Sequence, residues 1–253
     1  MEAYIFTSSL REYVRFRRLW PWLAVVVVVF FLSRVYHKLD PTTGAQDAYA
    51  LLSATIVFRV LALSAAIYSA AIVAQEVEQR TIVYLLTRPV PRWKILLFRA
   101  LAAMLVVFVL SVLVALATSL GTVGLSNKLL GRDILALAAG STAYMSLFTF
   151  VSLLMNRSMI ACLLFAFVWE TSVPNMPGDL YRLTISSYLT SIAQRPTPRV
   201  TSGLMDALGG MLGVNTIPID TAWACVIGLA VVCLAAGSYW FSHFEYMARE
   251  DAE

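Results

Sequence analysis

Seven charged side chains crowd into residues 75–99: Glu76, Glu78, Arg80, Arg88, Arg92, Lys94 and Arg99. Residues 49–74 before them carry a single charge, Arg59, and residues 100–126 after them carry none. A polar cluster of this density between two apolar runs of bilayer length is a loop in water on one side of a membrane. Its chemistry is that of contact. Glu76 and Arg80 stand four residues apart in the order that stabilises a helix. An acidic first turn followed by a basic exit offers charge-assisted hydrogen bonds to a protein partner. The plainer alternative is a solvated loop whose cations only fix orientation.

Covalent and metal chemistry is not indicated. The chain has no G-x-x-x-x-G-K-[ST], H-E-x-x-H or G-x-S-x-G pattern. His37 and His243 are the only histidines and belong to no ligand-spaced cluster. Cys162, Cys225 and Cys233 all lie inside apolar runs and read as small fillers. The expectation is a protein with no catalytic residue, metal or cofactor of its own. The net charge is +4, but no basic stripe is interleaved with exposed aromatics, which argues against nucleic acid as a partner.

The elements that must position the charged loop are set by composition. The chain is 60% hydrophobic and only 13% charged, about half the charge of a soluble domain. The apolar residues come in blocks, so lipid is the solvent for most of the chain. Residues 3–18 are the exception. At helical spacing Phe6, Leu10, Tyr13 and Val14 share one face, while Arg11, Arg15 and Arg18 share the other. That pattern predicts an amphipathic helix on the membrane surface with its basic side toward anionic headgroups. Arg17 falls on the apolar side and would snorkel. The long basic lead marks a retained anchor instead of a cleaved signal.

Six spans are predicted, at 19–35, 49–74, 95–124, 133–155, 158–173 and 221–242. Trp20, Trp22 and Trp93 mark interfaces. A short helix over 76–86 ends at Pro89 and Pro91, which cannot continue it. The fifth span is short and ends at Pro174. Residues 174–219 form the longest non-spanning insertion, and within it 180–193 is an amphipathic candidate. That piece either covers the outer mouth of a pathway or lies on the outer leaflet.

Arg59 and Glu170 are charges within spans that call for a partner. Arg59 costs about 2.5–3.5 kcal/mol at depth on insertion scales and must face protein or water. Glu170 lies near the outer end of the fifth span. The two form a possible polar pair lining a pathway, or a structural pair. The many Ser and Thr of the spans read as packing residues. With six spans and an inside N-terminus, eleven Lys and Arg lie inside and seven outside, which supports cytoplasmic termini.

The order E-x-E-x-x-T-x-x-x-L-L-T-R-P-V-P-R, carried by Glu76, Glu78, Thr81, Leu85, Leu86, Arg88, Pro89 and Arg92 and followed by Arg99, resembles the permease subunit of the type-2 ATP-binding-cassette exporters. The resemblance extends to the whole layout. Arg80 departs from it, standing where that family often has Gly. The resemblance implies an all-α polytopic membrane protein: a surface helix, six spans, a cytoplasmic coupling helix after the second span, and short outside helices before the sixth. It implies a cytoplasmic (inner) membrane location and a second permease subunit, identical or not, in a lipid environment. It also implies cytosolic ATPase subunits that bind ATP and Mg and dock on the coupling helix. Two other readings remain. One is a non-transporting complex member that passes ATPase work to an extracytoplasmic partner. The other is a channel or ATP-independent carrier, for which no filter or paired broken helices are visible.

Overall fold

The computed structural model describes residues 2–39, 44–78, 92–124, 127–155, 157–173, 179–195 and 217–243. Within them the chain is helical and contains no strand. The helices are α1 (Glu2–Tyr13), α2 (Phe16–Leu39), α3 (Ala45–Leu52), α4 (Phe58–Glu78), α5 (Arg92–Thr122), α6 (Leu130–Leu154), α7 (Ser158–Leu164), α8 (Ile185–Ile192) and α9 (Ile219–His243). A π-helical segment, Ser53–Val57, joins α3 to α4. A second, Phe165–Trp169, carries α7 into the closing turn Glu170–Ser172.

Among the described residues, five helices are long and apolar enough to cross a bilayer: Arg18–Leu39, Ala45–Ile72, Trp93–Thr122, Leu130–Leu154 and Ile219–His243. The fifth expected span is the shorter apolar helix Ser158–Ser172. Their outer faces suit lipid. Val28, Phe31 and Leu32 on α2, and Ile227, Val231 and Val232 on α9, are exposed. In water such a surface would aggregate.

The core lies around α6, which packs against α4, α5, α7, α8 and α9. The seam is built from small and hydroxylated residues. Ser64, Ser141, Ser146 and Ser152 are buried, and each hydroxyl donates to a carbonyl of its own helix. This satisfies the hydroxyls locally and lets neighbouring backbones approach. The packing reading of these residues fits that arrangement. Gly140 is the closest case: a Cβ there would stand 2.6 Å from Leu61 Cδ2 and 2.7 Å from Leu189 Cδ1.

Gly121 performs the same service between α5 and α2. A Cβ there would lie 2.6 Å from Ser33 Cβ and 3.1 Å from the Phe30 carbonyl oxygen. Those atoms belong to the α2 backbone or are fixed to it, so no rotamer change relieves the clash. Gly121→Val is therefore expected to push α2 away from α5 at a cost of about 1–3 kcal/mol. The check is a lowered thermal midpoint in detergent, with Gly131→Val as control, because nothing lies within 4 Å of a Cβ at Gly131.

The N-terminal region departs from the expected single surface helix over 3–18. α1 ends at Tyr13, Val14 and Arg15 form a corner, and Arg18 belongs to α2. The expected apolar face is turned largely toward protein. Phe6 and Leu10 pack on the core, Tyr13 is fully buried, and α1 lies against α5. The Tyr13 ring meets the edge of Tyr68 on α4 at 5.9 Å. Burying an aromatic of this size outweighs continuing the helix through the corner. Val14, assigned to the same face, is instead exposed. Arg11 and Arg15 are exposed as expected, and Arg18 is half-buried.

Candidate functional site

The charged loop is only partly within the described residues. α4 runs unbroken from Phe58 to Glu78, four residues past Ala74, where the apolar run of the sequence ends. Glu76 and Glu78 therefore stand on the last turns of the helix that carries the second span, and no separate helix begins at 76. Arg92 opens α5. Arg80, Thr81, Leu85, Leu86, Arg88 and Pro89 lie outside the described residues. What the structure adds is the mounting. The loop leaves from one long helix and re-enters on another, α4 and α5 pack together, and α1 is strapped to both through α5 and the Tyr13–Tyr68 contact.

Deep in the bundle, each intramembrane charge follows a π-helical segment. Arg59 comes just after Ser53–Val57, and Glu170 just after Phe165–Trp169. A π segment inserts an extra residue into the turn and re-aims the side chains beyond it. Tyr144 on α6 is fully buried between these elements. Its hydroxyl lies beside the Glu170 carboxylate and within electrostatic range of Arg59. No ion pair joins Arg59 to Glu170 among the described residues. Instead the two oxygens of Glu170 accept the backbone N–H groups of Ile185, at 3.0 Å, and Ser186, at 3.1 Å.

Those N–H groups open α8, whose cap residue Thr184 makes no side-chain capping bond. Glu170 thus supplies a carboxylate to a helix N-terminus in trans, where unpaired N–H groups and the helix dipole favour negative charge. Glu170→Gln keeps the shape but turns one acceptor into a donor facing an N–H. We expect it to destabilise the protein by about 1–3 kcal/mol. The check is a lower thermal midpoint together with faster proteolysis within 179–195.

A second polar cluster, which the sequence did not single out, lies at the opposite end of the bundle from Glu78. Asp133, in the first turn of α6, is fully buried. Its Oδ2 accepts from Arg195 Nη2 at 2.5 Å and from the Tyr49 hydroxyl at 2.6 Å. Arg195 Nη1 donates to the Ala50 carbonyl at 2.8 Å, and the guanidinium carbon lies 5.2 Å from the Tyr49 ring centroid. Asp133 Oδ1 and Arg195 Nε remain without partners. The cluster ties the insertion to the starts of the second and fourth spans. A signal for it existed in the sequence: Asp133 is an acid at the mouth of a run with no other charge before Arg157.

The described part of the insertion, residues 179–195, is consequently held at several points. Glu170 binds the start of α8, Trp169 Nε1 donates to the Leu183 carbonyl, Arg195 binds Asp133, and Ser191 Oγ donates to the Ile217 carbonyl ahead of α9. α8 packs on α6 and α9 with Ile185, Leu189 and Ile192 buried. Of the two placements open for the amphipathic piece, a position lying free on the leaflet does not match this burial. The helix itself is shorter than 180–193, because Asp179–Leu183 is a separate 3-10 turn. Among the described residues no three His, Cys, Asp or Glu side chains cluster as metal ligands would.

The long apolar helices, buried polar clusters and insertion packed back onto the bundle define a multi-pass helical membrane protein. The family model for the ABC-2 family transporter protein matches residues 4–243, and the chain belongs to that family. It is thus a membrane-spanning component of an ABC transport system, of a kind that carries no ATPase domain of its own. No curated protein matches it in sequence.

Proposed function

We propose that the chain is the permease subunit of an ATP-driven exporter of the cytoplasmic membrane, with both termini cytoplasmic. It pairs with a second permease subunit, and its work comes from cytosolic ATPase subunits that bind ATP and Mg. The observation that carries this reading is the continuous helix from the second span to Glu78. A rigid helix converts a push on its polar end into a displacement of its apolar end. Here that end leads through Arg59 toward Tyr144 and the core helix α6. Glu76, Glu78, Arg80, Thr81, Leu85, Leu86, Arg88, Pro89 and Arg92 are the proposed docking residues. Arg11 of α1 and Arg15 of the corner that follows are exposed and able to meet headgroups or the same partner. Arg59 and Glu170 would act as a polar patch along the pathway, joined through Tyr144 and not as a direct pair.

The test is co-purification. The tagged chain is expressed with a candidate ABC ATPase, extracted in mild detergent, and assayed for ATP hydrolysis and for ATP-dependent flux in proteoliposomes. An active ATPase in the eluate together with flux supports the exporter. A well-folded chain that brings down no ATPase overturns it.

One observation favours a second reading, in which work is passed to an extracytoplasmic partner without transport. The described part of the insertion, residues 179–195, is hydrogen-bonded to the second, fourth and fifth membrane helices and packs on the sixth. It could deliver their movement outward. ATP hydrolysis with no flux, together with loss of a bound partner on altering residues 185–192, would select it.

A further inference from the structure

We infer that the groove between α2, α4 and α7 binds an anionic phospholipid from the leaflet on the N-terminal side, with the lipid phosphate between Arg18 and Arg157. This stands apart from the transport reading and needs only that the chain sits in a bilayer. The groove has a volume of about 860 Å³ and is lined by residues that include Arg18, Trp22, Ile67, Tyr68, Arg157 and Ile160. It exists because α2 packs chiefly along α5, whereas α7 packs on α4 and α6. α2 and α7 both start, and α4 ends, on the N-terminal side, so the two arginines lie at the aqueous end and the apolar residues run inward.

The polar end is short of acceptors. Arg18 Nη1 is enclosed without a hydrogen-bond partner, and so is the hydroxyl of Tyr68, a residue only 3% exposed. The two groups are near enough to interact electrostatically. Arg157 at the mouth is exposed, and no carboxylate lines the groove among the described residues. Two cations and a buried phenol without an acceptor form a pocket for an anion, because an enclosed donor without a partner is costly. The remaining wall is apolar, with the Trp22 ring stacked beside Tyr68 at 6.3 Å. A free phosphate would leave that wall unused. A phospholipid fills both parts, with its phosphate on the arginines and its acyl chain along Ile67 and Ile160.

Native mass spectrometry of the full chain, released from bilayers of equal phosphatidylglycerol and phosphatidylcholine, tests the assignment. Phosphatidylglycerol is expected to be retained preferentially. Arg157→Gln, an exposed change that leaves the core untouched, is expected to lower its retention about tenfold, the effect of one charge-assisted contact. Arg18→Gln combined with Arg157→Gln should abolish the preference while the size-exclusion profile is kept. Equal retention of both lipids, or unchanged retention in Arg157→Gln, overturns the proposal. Competition by glycerol phosphate at the lipid's own concentration would reassign the site to a free anion. Disulfide trapping between copies through Met159→Cys, with no lipid retained, would assign the groove to a second copy of the chain.

Discussion

Arg195→Ala is expected to destabilise the protein by about 3–5 kcal/mol, because it leaves the Asp133 carboxylate buried and without its counter-ion. The Asp133–Arg195 contact is an ion pair with both side chains nearly inaccessible, 1% and 4% exposed. Asp133→Ala should cost a similar amount, since it strands the guanidinium against the Ala50 carbonyl and the Tyr49 ring. Replacing both, as Asp133→Ala with Arg195→Met, removes the stranded charge and should cost less than either single change. Tyr49→Phe removes one hydroxyl donor from the same oxygen and should cost about 1 kcal/mol. The readout is the thermal midpoint in detergent, where the single changes should lower it by about 10 °C. A double variant whose loss equals the sum of the two single losses would show that the pair is not coupled. Because the cluster joins residues 62 positions apart, its loss should also free the insertion, seen as faster proteolysis after Ala193.

Charge reversal at the end of α4 is the second large effect. With Glu76→Lys and Glu78→Lys together, an ATPase that docks there meets repulsion where it had charge-assisted contacts. Each such contact is worth about 1.5–3 kcal/mol, so two should weaken association by at least about a hundredfold. The fold should not change, because both residues lie beyond Ala74, where the apolar run of the sequence ends. The comparison is therefore clean. Permease yield and thermal midpoint stay as in wild type, while co-purified ATPase and its stimulated hydrolysis fall away. Gln substitutions at the same positions should give an intermediate loss, since they remove attraction without adding repulsion. An unchanged yield of active ATPase with the double Lys variant would place the docking surface elsewhere.

Much of the architecture was legible because lipid imposes a one-dimensional rule. An apolar run long enough to cross the bilayer must be helical, as no water is present to satisfy its backbone. Helices expected over 19–35, 95–124, 133–155 and 221–242 correspond to Phe16–Leu39, Arg92–Thr122, Leu130–Leu154 and Ile219–His243, with ends that differ by a few residues. The same rule made the charged stretch conspicuous, since polarity is improbable between such runs without a task. The corner after Tyr13 was not legible. Hydrophobic spacing continued smoothly through Val14, and only the Tyr68 ring, far along the chain, determines which residue is buried. The Arg59–Glu170 pairing failed for a related reason. Depth along two spans placed both charges in the same half of the membrane, but rotation about the helix axes decides contact. Each charge follows a π segment, which alters that rotation, and Glu170 meets the N-terminus of α8 instead of Arg59.

By itself, then, the sequence determined the solvent of each segment, the positions of the spans, the charged loop and the family, all of which are properties of neighbouring residues. The tertiary structure alone decided which buried polar groups meet. Asp133 with Arg195, Glu170 with α8, and Arg18 beside Tyr68 in an unfilled groove depend on helix rotation and packing between distant segments. Hydropathy averages over a turn of helix and carries no record of which way a single side chain points.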